Sequence, residues 1–110
     1  MIRNTPTPPE HLAEPTRNWW VSVMTDYELQ PHHVRLLTLA CEHWDRAQEA
    51  RVLLSFEGLT ITGPKGTVAN PLIKIHADAS IHFTRIVREL DLDCEPPPER
   101  RPPPLKSNRG

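Results

Sequence analysis

PHHVRLLTLACEHWDRAQEARVLLSFEG, residues 31–58, reads as one long helix. Pro31 suits a first helical position, where its missing N–H costs nothing, and Gly58 supplies the residue that can turn left-handed at the stop. At about 1.5 Å per residue, a helix from Pro31 to Glu57 is roughly 40 Å long. Its apolar positions Leu36, Leu37, Leu39, Ala40, Cys41, Trp44, Ala47 and Ala50 wrap more than one face. One short neighbour cannot cover them all, so a further helix or another protomer must share the burial.

Upstream, residues 16–27 predict a first helix, with Thr16 as N-cap and Trp20, Val23, Met24 and Tyr27 on the apolar face. Downstream, Leu59-Thr60-Ile61-Thr62 alternates, Gly63-Pro64-Lys65-Gly66 turns, and Thr67-Val68 follows, which predicts a β-hairpin. A two-stranded hairpin is marginal alone and should lie against the helices or a neighbouring chain. Asn70 and Pro71 then offer an N-cap and a first-turn proline. Leu72, Ile75, Ala79, Phe83, Ile86 and Leu90 recur at steps of three and four, predicting a third helix. The expected fold is therefore mainly α: three helices, the central one long, with a small hairpin between helices 2 and 3.

Composition bounds the folded part. Of the 41 hydrophobic residues among 110, 37 lie between Leu12 and Leu92. Ten of the 13 prolines fall outside that centre or at its edge: Pro6, Pro8, Pro9 and Pro15 at one end, and Pro96, Pro97, Pro98, Pro102, Pro103 and Pro104 at the other. Proline-dense ends cannot form helix or sheet interior. The expected organisation is a flexible proline-rich arm over 1–15, a helical domain over 16–93 and a disordered Pro/Arg-rich tail over 94–110. Residues 18–95 carry seven basic and eleven acidic side chains, whereas 96–110 carry four basic and one acidic. No apolar run approaches the roughly 20 residues of a membrane span, and no signal-peptide stretch is visible, so a soluble intracellular protein is expected.

Six histidines raise the question of a metal, but no His-Glu-x-x-His, no Cys-x-x-Cys and no carboxylate at ligand spacing accompanies them. Neither a metal site nor a cofactor is expected. Cys41 and Cys94 offer no disulfide framework and read as reduced thiols. Gly-x-Ser-x-Gly and phosphate-cradling loops are missing, which argues against a hydrolase or a nucleotide-binding enzyme.

Basic residues are more suggestive. Lys74, Ile81, Arg85 and Arg88, with Asp78 among them, share one face of the third helix, apart from its apolar stripe. Such a row meets phosphates or is a solvated face whose charges pair locally. Arg46 and Arg51 on the second helix have acidic neighbours in Asp45 and Glu49, while Lys65 stands at the hairpin tip. In the tail, Arg100, Arg101 and Lys106 form either a basic arm for DNA or a solubilising end. These nine side chains are the candidate DNA contacts.

The order Pro8-Pro9-Glu10-His11-Leu12, Trp19-Trp20, Leu37 with Ala40-Cys41-Glu42-His43-Trp44-Asp45-Arg46, Gly58-Leu59-Thr60, Gly63, Gly66, Asn70-Pro71-Leu72, Ala77 and Arg88-Glu89-Leu90-Asp91-Leu92 resembles a phage terminase small subunit of the P-twenty-seven-like family. The resemblance runs from about Pro8 to Leu92. That family commonly closes its last helix with a Leu-Gly-Leu-like sequence, whereas this chain has Leu90-Asp91-Leu92, without the glycine stop.

The resemblance implies a non-catalytic, ring-forming subunit in the host cytoplasm. It would recognise double-stranded viral DNA and deliver it to the large terminase subunit, which supplies the ATPase and nuclease. A ring would bury the surplus apolar faces of the second helix, with Leu36, Leu37, Ala40 and Trp44 as candidate interface residues. Trp44 is expected either at the crossing of helices 2 and 3 or between protomers. The competing reading is a small helical adaptor or regulator without DNA binding, whose proline tail docks in an aromatic groove.

Overall fold

The computed structural model describes residues 6–92. Five elements follow in chain order: α1 (Glu14–Asp26), α2 (Pro31–Glu57), β1 (Thr60–Gly63), β2 (Gly66–Ala69) and α3 (Leu72–Leu90). Asn70 bonds Glu57, His43 faces His82, and Leu37 and Cys41 share a core with Leu90, so α2 and α3 run antiparallel. Ala47 and Ala50 of α2 and Ala79 of α3 are buried, and their small side chains let the two helices come close. α1 packs at the end of this pair where α2 begins and α3 finishes, placing Trp20 and Val23 on Leu37, Cys41 and Leu90. Trp20 is 3% exposed and its indole N–H donates to Thr38 Oγ1 at 3.2 Å.

Leu12 belongs to the same core, so the arm expected over 1–15 is anchored at its inner end. Expectations for residues 1–5 and 93–110 lie outside the described residues.

Helix ends differ from expectation in instructive ways. α1 starts at Glu14 with Pro15 in its first turn, and Ala13 at the N-cap has no side chain to offer. Thr16 is therefore not the cap: it sits inside the helix, buried, and donates its hydroxyl to Asp45 Oδ1 at 2.5 Å. Asp45 Oδ2 accepts the Ala13 N–H at 2.8 Å, so a carboxylate from α2 does the capping. At the α2 stop, Gly58 takes φ 87° and its N–H reaches the Leu54 carbonyl at 2.8 Å. Asn70, one residue ahead of the Pro71 N-cap, still bonds the first helical N–H of α3, Leu72 N to Asn70 Oδ1 at 3.0 Å. Its amide meanwhile donates to Glu57 Oε1 and the Gly58 carbonyl, stitching the end of α2 to the start of α3.

α3 stops cleanly without a glycine. Asp91 adopts φ 61°, its N–H bonds the Arg88 carbonyl and the Leu92 N–H bonds the Val87 carbonyl, the two bonds of a Schellman cap. A side chain at a left-handed position is strained, while glycine there gives up more unfolded-state freedom. Asp91→Gly should therefore gain about 0.5 kcal/mol, and Asp91→Val should lose about 1 kcal/mol, in urea unfolding.

The hairpin pairs Thr60 with Ala69 and Ile61 with Val68, closing on the two residues Pro64 and Lys65. Its strands expose most of their side chains, so of the two expected placements, against the helices or against a neighbouring chain, the first is not what the fold adopts. Ile75, expected on the core stripe of α3, is exposed too, because α1 covers only the other end of the pair. Val52, Leu53, Phe56, Leu59, Ile73 and Ile75 consequently form an uncovered apolar end, with Phe56 81% exposed. No helix among the described residues is long and apolar enough to cross a membrane.

Candidate nucleic-acid interface and protomer surface

The basic row of α3 lies on the face turned away from α2. Arg85 and Arg88 are exposed and make no ion pair among the described residues. With Ser80, Ile81 and Thr84 they line a shallow groove of about 280 Å³. Lys74 shares that face but donates to Asp78 at 2.9 Å, a surface pair of little energetic weight. Arg46 and Arg51 lie on α2, where Arg51 donates through Nε and Nη2 to Gln48 Oε1. Lys65 is exposed in the hairpin turn. The fold thus brings Arg85 and Arg88 together, with Lys74 further along their face. Arg100, Arg101 and Lys106 lie outside the described residues.

Of the four candidate interface residues, Leu37 and Ala40 are wholly buried within one protomer and have no surface to give a second copy. Leu36 is half-buried, and Trp44 is 43% exposed. Trp44 does sit at the crossing of α2 and α3, its ring 5.0 Å from that of Phe83, and the ring of Trp19 on α1 lies 5.9 Å from the same Phe83. It is the rim of a groove rather than core. That groove, about 360 Å³, is lined by Pro15, Thr16, Trp19, Trp44 and Phe83. A second depression shares Pro15, Thr16 and Trp44 with it and continues over Asp45, Glu49, Val52 and Leu53.

In the sequence Asp45 reads as an acidic neighbour of Arg46, and no pattern marks the aromatic groove. Capping across 32 residues leaves no local pattern, and a groove contributed by three helices leaves none either.

Among the described residues, no three His, Cys, Asp or Glu side chains group as a metal would need. Cys41 is buried, and burial, followed by the charges of Asp45 and Glu42, pushes its thiol up to about 12, where it stays protonated and inert. His43 packs against His82 at 4.9 Å, with its Nδ1 buried and unpartnered among the described residues. Burial lowers its pKa from 6.5, helped by the charges of His82 and Arg46 and opposed by Glu42. The unfolded chain then takes up a proton that the folded His43 resists, so stability present above about pH 6.5 drains away as the pH falls below it. Urea midpoints should accordingly drop between about pH 7 and pH 5, and the drop should be smaller in His43→Gln.

No curated protein and no solved structure matches the chain. A family described as "Phage terminase, small subunit" does, over residues 17–96, which takes in all of α2, the hairpin and α3 and most of α1. With most of its length matched, the chain belongs to the phage terminase small subunit family.

Proposed function

We propose that this chain works as a homo-oligomeric ring that recognises double-stranded viral DNA and brings it to the large terminase subunit for genome packaging. The ordered motif series from Pro8 to Leu92 supports placing it in the P-twenty-seven-like branch. It carries no catalysis of its own; ATPase and nuclease activity reside in the large subunit, and the work takes place in the bacterial cytoplasm during phage assembly.

The observation that supports DNA contact best is the pair of guanidiniums, Arg85 and Arg88, which make no ion pair among the described residues and line one groove on the outward face of α3. Guanidiniums suit bidentate phosphate contacts, and a ring repeats each weak contact in every protomer. That repetition lets a domain with acidic excess hold a polyanion.

Anisotropy of a labelled duplex, measured across salt concentrations, tests the reading. Arg85→Ala with Arg88→Ala should weaken binding about tenfold or more and flatten the dependence of log K on log salt by about 2 for each protomer in contact. Both side chains are exposed, so the fold should be unaffected. Unchanged affinity and slope would take the DNA contact away from α3.

A further inference from the structure

The aromatic groove has the chemistry of a polyproline site. Trp19, Trp44 and Phe83 present ring surface, Pro15 closes one end, and the apolar walls hold about 360 Å³. The indole N–H of Trp20 is used internally on Thr38, whereas those of Trp19 and Trp44 donate to no described residue. A polyproline helix has no internal hydrogen bonds, so its carbonyls need such donors, and its rings pack on aromatic faces.

This chain carries a segment of that composition. Residues 96–104 read PPPERRPPP, two proline triplets around Glu99, Arg100 and Arg101. Charge is complementary as well: the depression continuing from the groove runs over Asp45 and Glu49, while Glu42, one turn back on α2, is paired with His11 Nε2 at 2.8 Å. An arginine next to a tryptophan face adds a cation–π contact.

Reach permits an intramolecular contact. The Leu92 carbonyl is held by the Tyr27 hydroxyl at 2.9 Å, which fixes where the following residues begin. Phe83 lies nine residues back along α3, roughly 13 Å. Six residues from Leu92 to Pro98 span about 19 Å as polyproline.

We propose that segment 96–104 of the same chain docks in the Trp19–Trp44–Phe83 groove as a polyproline helix, with Arg100 and Arg101 over the acidic continuation. The proposal stands apart from the DNA reading, since it needs neither DNA nor a ring.

The test compares the full chain with a full-length variant in which Pro96, Pro97, Pro98, Pro102, Pro103 and Pro104 are all serine. Indole N–H resonances are read by NMR over a dilution series. The Trp19 and Trp44 signals should shift between the two proteins while that of Trp20, buried on Thr38, stays put, and the difference should persist on dilution. A synthetic peptide of residues 95–107 should then bind the serine variant about tenfold or more tighter than the full chain, whose tethered segment competes at high effective concentration. Arg100→Glu with Arg101→Glu in the peptide should weaken that binding.

Unmoved Trp19 and Trp44 signals, or equal peptide binding to both proteins, would overturn the proposal. A difference that vanished on dilution would overturn the intramolecular seating and assign the groove to the segment of a neighbouring copy. A Trp20 signal that moved with the others would mean general repacking and would likewise overturn it.

Discussion

Trp20→Ala should cost about 4 kcal/mol of stability, most of what a small domain has to lose. The indole is almost wholly enclosed by Leu12, Val23, Leu37, Cys41 and Leu90, and its removal opens a cavity where α1 meets the α2–α3 pair. It also leaves Thr38 Oγ1 without its donor. Trp44→Ala makes the contrasting case. At a crossing buried on all sides it would cost about 3 to 5 kcal/mol, but a ring 43% exposed on a groove rim should cost only about 1 kcal/mol. Thermal and urea unfolding of both variants measure the difference, and equal losses would contradict the placement of the two tryptophans.

Asp45→Ala should be the most damaging polar substitution, at about 3 kcal/mol. One carboxylate accepts from the Ala13 N–H and from the buried Thr16 hydroxyl, so its removal strands two donors at the start of α1. The loss should reach Leu12, which packs into the core just before that helix begins. Amide exchange should then quicken through residues 12–17 far more than in the middle of α2. Asp45→Asn, which keeps an acceptor but not the charge, should fall between the wild type and alanine. A loss under about 0.5 kcal/mol would mean that α1 needs no cap from α2.

What could be read from the chain alone follows from how local each signal is. Pro31, Gly58 and the run between them are local, and α2 begins at Pro31 and ends at Glu57 as they imply. The apolar steps of α3 and the glycine-framed turn are local too, and both elements stand where the pattern puts them. Thr16 misled because capping residues are recognised by type, while the true acceptor came from α2 in the tertiary fold. Asp91 looked like a weak stop, yet its αL conformation and the Schellman bonds end α3 at Leu90 all the same.

The candidate site divides along the same line. Spacing was enough to put Arg85 and Arg88 on one face, where they line a common groove. Periodicity marks Leu37, Ala40 and Trp44 as apolar but does not say which of them a second helix will cover. α1 and α3 enclose the first two and leave Trp44 at a rim. The uncovered apolar end of Val52, Leu53 and Phe56 lies beyond Ala50, where the apolar positions read on the second helix stop, and its exposure depends on where α1 packs.

In the proposed ring, the exposed apolar surface at that end, with Phe56 81% exposed, would be the face that copies bury against one another. Multi-angle light scattering across a wide range of protein concentrations measures this most directly. The account predicts a mass several times the 12.6 kDa protomer that holds on dilution, and a shift toward single protomers in Leu53→Glu with Phe56→Glu at unchanged helicity. A mass of 12.6 kDa at every concentration would contradict it.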